Sequence, residues 1–213
     1  GGTLTVNPIP VTITTGSASK AYDGTPLTSS EAVITGLVEG ETATVTATGT
    51  ITDIGSTGNT YSIDWGGTNR DNYTVTEELG TLEVTANAAE VVFTANSDSK
   101  TYDGTPLVGQ VAADGLPTGL TWEAEAGSLT NAGAIENKVA SYAIYKDDVD
   151  VTANFTNLPT VDGTLTVSPA PLTIATSSDS KMYDGTALTH GGVTVTGLVG
   201  GDTITVTATG SIT

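Results

Sequence analysis

Few residues of this 213-residue chain could do chemistry, and those that could recur in sets. Lys20, Asp23 and Asn72 supply an amine, a proton-moving carboxyl and a carboxamide, the parts of a Lys–Asn isopeptide bond that releases ammonia. Lys100, Asp103 and Asn154 supply the same set further on. Such a step needs the lysine neutral, hence buried among apolar groups that lower its pKa. Lys20 stands in a loop of Gly, Ser and Asp, so a snorkelling lysine whose ammonium meets Asp23 is the expected arrangement. Calcium is the second chemistry to weigh, and it wants about six to eight oxygens from closely spaced carboxylates. Asp147, Asp148 and Asp150 are the densest group, and Asp98 with Asp103 the next. Neither fits an Asp-x-Asp-x-Asp-Gly loop, and the matching stretch earlier in the chain is Trp65-Gly66-Gly67. They read as solvated acidic loops, and no cofactor is expected.

Catalysis has little to work with. His190 is the only histidine, so no Ser-His-Asp set can recur. Glu123 and Glu125 share one face of a strand, a solvent-facing pattern, whereas glycosidase chemistry needs carboxylates across a cleft. Asn72-Tyr73-Thr74 and Asn154-Phe155-Thr156 are formal glycosylation acceptors inside expected strands. The chain reads as a non-enzyme.

The elements that position these residues are repeats. Ser19-Lys20-Ala21-Tyr22-Asp23-Gly24-Thr25-Pro26-Leu27 returns from Ser99 to Leu107 and again from Ser180 to Leu188. Tyr22, Tyr102 and Tyr183 are thus 80 and 81 residues apart. Gly2-Thr3-Leu4-Thr5-Val6 recurs as Gly80 to Val84 and Gly163 to Val167, each time closing a repeat. The junctions are short, and Pro8-Ile9-Pro10 and Pro169-Ala170-Pro171 favour an extended connection. The expected organisation is a closing strand and linker over 1–10, module one over 11–86, module two over 87–168, and the first half of a third module over 169–213. In each Tyr-Asp-Gly loop (Tyr22, Asp23, Gly24; Tyr102, Asp103, Gly104; Tyr183, Asp184, Gly185) Asp-Gly supplies a turn and the ring can cap a core.

Composition excludes several classes. Acidic residues outnumber basic ones 24 to 6, a formal charge of −18, so nothing here could neutralise a row of phosphates or dock on an anionic membrane. No apolar run approaches the ~20 residues that span a bilayer. Cysteine is absent, which removes disulfides and thiolate sites. The 43 threonines and 37% hydrophobic content describe an ordered, β-rich chain.

Thr42 to Thr48 alternates Thr with small apolar residues, the period of a half-buried strand, and Thr203 to Thr209 repeats it. Val11–Thr14, Ala32–Leu37, Tyr61–Trp65, Asn72–Thr76 and Thr81–Thr85 complete a module. Aligning Ser128-Leu129 with Thr50-Ile51 sets Val45 opposite Glu123 and inverts the in-out phase. Either the strands differ by one residue or a bulge near Gly49 or Gly127 resets the register. Ile135 to Tyr145 is read as a strand matching Asn59 to Ile63. The expected fold is all-β: tandem small β-sandwich (immunoglobulin-like) or β-grasp-like modules of about 80 residues, arranged end to end.

The pattern S-K-x-Y-D-G-T-P-L, then N-Y-x-V at Asn72 to Val75, then G-T-L-x-V resembles the MBG-type repeat modules of bacterial surface adhesins. The second repeat carries Asn154-Phe155 in the N-Y position, and the third has Ala187 in place of Pro. The resemblance implies an extracellular location, at the bacterial cell surface or secreted, and no catalytic residues. It also implies a structural stalk or spacer that projects a distal binding region, with the host or cell-surface ligand bound elsewhere in the parent protein. The alternative is a carbohydrate- or matrix-binding module, but Trp65 and Trp122 fall at non-equivalent positions and offer no repeated aromatic platform. The expected partners are neighbouring repeats and, through unpaired strand edges, a head-to-tail copy, with no nucleic acid and no membrane insertion.

Overall fold

The computed structural model describes residues 1–213, which form two compact units. One gathers Gly1–Val91, Gly115–Glu123 and Ala143–Pro159; the other gathers Val92–Asp114, Ala124–Tyr142 and Thr160–Thr213. The fold is all-β, a set of small sheets in keeping with β-sandwich modules, interrupted only by two 3-10 turns at Arg70–Asn72 and Thr152–Asn154.

In the first repeat the strands are β1 (Ile9–Thr15), β2 (Ala18–Ala21), β3 (Ala32–Thr35), β4 (Thr44–Ala47), β5 (Gly55–Gly58), β6 (Tyr61–Asp64), β7 (Tyr73–Glu78) and β8 (Thr81–Thr85). One sheet orders β3-β1-β7 and another β2-β8-β5, while β4 pairs with β6. β1 lies parallel to β7, with Ile9 opposite Tyr73, and β2 lies parallel to β8, with Ala18 opposite Leu82. The first and last strands therefore leave one sheet and enter the next side by side, bending at Gly16-Ser17 and Leu79-Gly80. Alternate residues Val11, Ile13, Leu82 and Val84 are fully buried, as period-2 patterning requires.

The second repeat follows the same plan with β9 (Val92–Ala95), β10 (Asp98–Thr101), β11 (Leu107–Val108), β12 (Val111–Asp114), β13 (Thr121–Glu125), β14 (Ser128–Leu129), β15 (Gly133–Asn137), β16 (Ser141–Lys146), β17 (Val149–Asp150), β18 (Thr160–Val161) and β19 (Gly163–Ser168). Sheets β12-β9-β18 and β10-β19-β15 reproduce the earlier pair, including the parallel contacts of β9 with β18 and β10 with β19. Phe93, Ala95, Leu165 and Val167 are buried. The third repeat holds β20 (Thr173–Thr176) against β22 (Val193–Thr196), and β21 (Leu188–Thr189) against β23 (Ser211–Ile212).

Three local readings change. Ile135 to Tyr145 is two strands, β15 and β16, broken at Lys138–Ala140, where the Ala140 N–H turns to the Glu125 carbonyl. Asn72 and Asn154 end 3-10 turns, and the strand or buried aromatic position begins only at Tyr73 and Phe155. Thr203 to Thr209 is not a strand, whereas its counterpart Thr44–Ala47 is held by β6. The phase inversion has a local cause. The N–H groups of both Thr48 and Gly49 donate to the one carbonyl of Thr60, at 2.7 and 3.2 Å. Two residues opposite one is a β-bulge, and it resets the register of the first repeat.

Candidate functional site

The recurring loop is a lysine latch built the same way three times. Lys20 Nζ donates to Asp23 Oδ1 at 2.7 Å, to the Thr25 carbonyl at 2.6 Å and to Thr25 Oγ1 at 2.6 Å. Lys100 repeats all three contacts with Asp103 and Thr105. Lys181 meets Asp184 at 2.8 Å and Thr186 Oγ1 at 2.6 Å. In each copy the aspartate Oδ1 also accepts from the threonine N–H and hydroxyl, closing an Asx turn. The intervening Gly24, Gly104 and Gly185 have φ of +76°, +81° and +79°, which a side chain would resist. Partial burial pushes the Asp23 carboxyl up, but donors from Lys20 and Thr25 outweigh it and hold it down at about 2. Lys100 and Thr105 hold Asp103 well below the usual carboxylate range, and Lys181 with Thr186 lowers Asp184. The ammonium of Lys20 is thus engaged by Asp23 and Thr25, while Asn72 sits in the turn ahead of β7.

The tyrosines of the loop meet the repeat that follows. Tyr22 is 1% exposed and packs edge-on against Phe155, with ring centroids 6.0 Å apart. Its carbonyl accepts from Asn87 Nδ2 at 2.9 Å, and the Asn87 N–H donates to the Asn154 carbonyl. Tyr102 donates its hydroxyl to Asp202 Oδ1 at 3.2 Å, over Pro169, Ala170 and Val199. Burial and that carboxylate raise the Tyr102 pKa. Tyr183 is 87% exposed.

A second constellation gave no sign in the repeat motif. Where the paired strands change sheets, a fully buried asparagine fastens the corner in each complete repeat. Asn59 Nδ2 donates to the carbonyls of Gly16 and Ser29 at 2.9 and 3.0 Å. Asn137 Nδ2 donates to the carbonyl and Oδ1 of Asn96, and its own Oδ1 accepts from the Gly127 N–H at 2.8 Å. Gly80 and Gly163 complete the corner, since a Cβ at either would strike the backbone of Gly16 or Asn96. The available signal was an asparagine ten residues after a glycine in both repeats, Gly49 to Asn59 and Gly127 to Asn137.

The acidic group is a turn. Asp147 and Asp148 have φ of +49° and +65° and join β16 to β17 as a two-residue hairpin of type I′ sense. Lys146 pairs with Asp147 at 3.1 Å, and Asp150 accepts from the hydroxyl and N–H of Thr152, which lowers its pKa. No three His, Cys, Asp or Glu side chains gather to hold a metal ion anywhere in the chain. Glu123 and Glu125 are both exposed on β13. One arrangement does imitate a triad: His190 Nε2 lies 2.7 Å from Ser177 Oγ, and its Nδ1 lies 3.5 Å from Asp179. Ser177 occupies the corner position of Gly16 and Asn96, which Asn59 and Asn137 cover in the other repeats. The contact is an uncovered corner, and Ser177 also donates to the Gly192 carbonyl at 3.2 Å, so no donors surround an oxyanion position.

Residues 11–83 match the MBG domain (YGX type), and residues 168–213 match the YDG domain. The two matches are consistent with MBG-type repeat modules. No curated protein and no solved structure matches the chain. MBG and YDG domains are not enzyme families, and they fit a repeat-containing surface protein of the extracellular side. No helix of the chain is long and apolar enough to cross a membrane. Within these repeats the latch shapes the loop, the asparagine corner ties the sheets, and Tyr22 and Tyr102 meet the repeat that follows.

Proposed function

We propose that the chain is a stalk or spacer segment of a multi-repeat bacterial surface adhesin, whose distal part binds the ligand. The observation that carries this reading is the reuse of the latch. Lysine, aspartate and threonine keep one geometry at three places, and all their polar contacts are spent inside the loop. A recognition site would leave such groups free for a ligand. A glycan-binding platform would also need a repeated free aromatic. Trp65 instead stacks on Tyr73 at 5.8 Å and 22°, and Tyr73 in turn donates to Glu41. The charge of −18 keeps neighbouring stalks soluble and mutually repelled, and threonine covers the strand faces. In this reading length follows from copy number. Small-angle scattering of the chain tests it. An elongated distance distribution is expected, and a compact, bell-shaped one would overturn the spacer reading.

A further inference from the structure

We propose that the Tyr-Asp-Gly loop of one repeat is a plug, and that its seat is the near half of the repeat that follows. The first and second repeats then share one core across Ala86–Ala89, and the second depends on the first for part of its stability. The first compact unit already crosses the repeat boundary, since it takes Gly1–Val91 together with Gly115–Glu123 and Ala143–Pro159 of the second repeat. Of the three junctions this is the one without Pro-x-Pro, so proline does not stiffen it.

Asn87 supplies the stiffness instead. It is 7% exposed, and it binds both repeats at once. Its Nδ2 donates to the Tyr22 carbonyl of the first repeat at 2.9 Å, and its Oδ1 accepts from the Ala89 N–H at 2.9 Å. Its backbone N–H donates to the Asn154 carbonyl at 2.8 Å, and its carbonyl accepts from the Thr156 N–H at 2.9 Å. Those two bonds form a parallel bridge with Phe155 of the second repeat. Further on, the Val91 N–H reaches the Asn157 carbonyl at 3.1 Å. The junction is a strand pairing rather than a free linker.

The ring of Tyr22 is buried against the second repeat, where it meets Phe155 edge-on. Leu120 and Lys146 close over Gly24, so that a Cβ there would lie 2.8 and 3.2 Å from their side chains. Phe155, Leu120, Val91 and Ile144 are themselves buried. An edge-on aromatic pair inside such a cluster stabilises the segments on both sides of it. Tyr102 makes the same approach in the second unit. Its N–H donates to the Ser168 carbonyl at 2.8 Å, as the Tyr22 N–H does to the Thr85 carbonyl, and a Cβ at Gly104 would lie 3.3 Å from Val199. The seats differ at one position: Leu120 of the second repeat corresponds to Asp202 of the third, which accepts the Tyr102 hydroxyl. The plug is constant, while the seat is apolar at the first joint and acidic at the second.

Hydrogen exchange of the whole chain, read by mass spectrometry, tests the joint whether or not the chain is a spacer. In Tyr22→Ala the amides of residues 143–157 should exchange roughly a hundredfold faster, the loss expected when a buried aromatic ring is removed. β1 and β7 of the first repeat should keep the parent rate. Asn87→Ala should speed the same residues with the ring still present. Coupling is reciprocal, so Phe155→Ala should in turn release the amides of residues 18–27. An elastase-type protease should cut Tyr22→Ala after Ala86, Ala88 or Ala89 and spare the parent there. Exchange over 143–157 unchanged in either Tyr22→Ala or Asn87→Ala, loss of protection spread equally to β1 and β7, or rapid cleavage of the parent within Ala86–Ala89 would each overturn the proposal.

Discussion

Asn137→Ala removes three hydrogen bonds at one buried point: two from Nδ2 to Asn96 and one into Oδ1 from the Gly127 N–H. Asn137 is 0% exposed, so water does not replace them. At about 1 kcal/mol net per bond, plus the cost of stranding the Asn96 carbonyl and the Gly127 N–H, the loss is about 3–4 kcal/mol. A repeat of this size has a urea dependence of about 1 kcal/mol per molar, so its midpoint should fall by roughly 3 M. Tyr142, stacked on Phe93 with ring centroids 4.6 Å apart in the same compact unit as Asn137, reports that unit through near-ultraviolet circular dichroism when compared with a Tyr142→Leu reference. That isolation matters because tandem modules need not unfold as one two-state unit. Asn137→Asp discriminates further. It keeps the acceptor for Gly127 but replaces two donors by a carboxylate facing the Asn96 oxygens, so it should be at least as damaging at neutral pH and partly relieved on acidification. A midpoint within about 0.5 M of the parent for Asn137→Ala would refute the account of the corner as a fastening.

Gly80→Ala or Gly163→Ala should cost about 3 kcal/mol by overpacking, because the new Cβ meets backbone, while Gly58→Ala, with only Leu79 at 3.7 Å, should be near neutral; thermal melts compare them. Asp23 titrates at about 2 in the fold against 3.8 ordinarily. Its contribution is therefore complete above pH 3.8 and fades as pH falls toward 2, so melting temperatures of the parent should drop across that window more than those of Asp23→Asn. Asp147→Asn with Asp148→Gly should stabilise the hairpin by about 1 kcal/mol, since both positions hold positive φ, and calorimetry reads the gain. Chelation should leave the melting temperature unchanged, given that the three aspartates are spent on a turn, an ion pair and Thr152.

The latch was legible because its parts lie within six residues, and local chemistry alone fixes them: Asp23 can reach only Thr25 and Lys20. The alternating faces of β1 and β8 were legible for the same reason, since period 2 is local. What distance in sequence conceals is pairing. Nothing in Ala18–Ala21 announces Leu82–Thr85 as its parallel neighbour, and Asn59 looks like any strand-flanking asparagine until Gly16, 43 residues away, bends toward it. The sequence leaves a bulge near Gly49 as one of two options, and only the shared Thr60 carbonyl decides for it. Ile135 to Tyr145 reads as one strand in sequence because its apolar residues alternate across the break, where the Ala140 N–H turns to the Glu125 carbonyl.

The parallel pairing of opening and closing strands has a mechanical consequence. A pull on the two ends of the first repeat enters ahead of β1 and leaves beyond β8, so those ends are drawn apart along the β2–β8 ribbon. Strands running the same way under such a load slide against each other, and the Ala18–Leu82 to Ala21–Thr85 register must fail as a block rather than peel one bond at a time. The Lys20–Asp23–Thr25 latch sits at the downstream end of that ribbon, where the Tyr22 N–H still holds the Thr85 carbonyl. Resistance to tension is governed by the rate of that rupture, not by the equilibrium stability of the module.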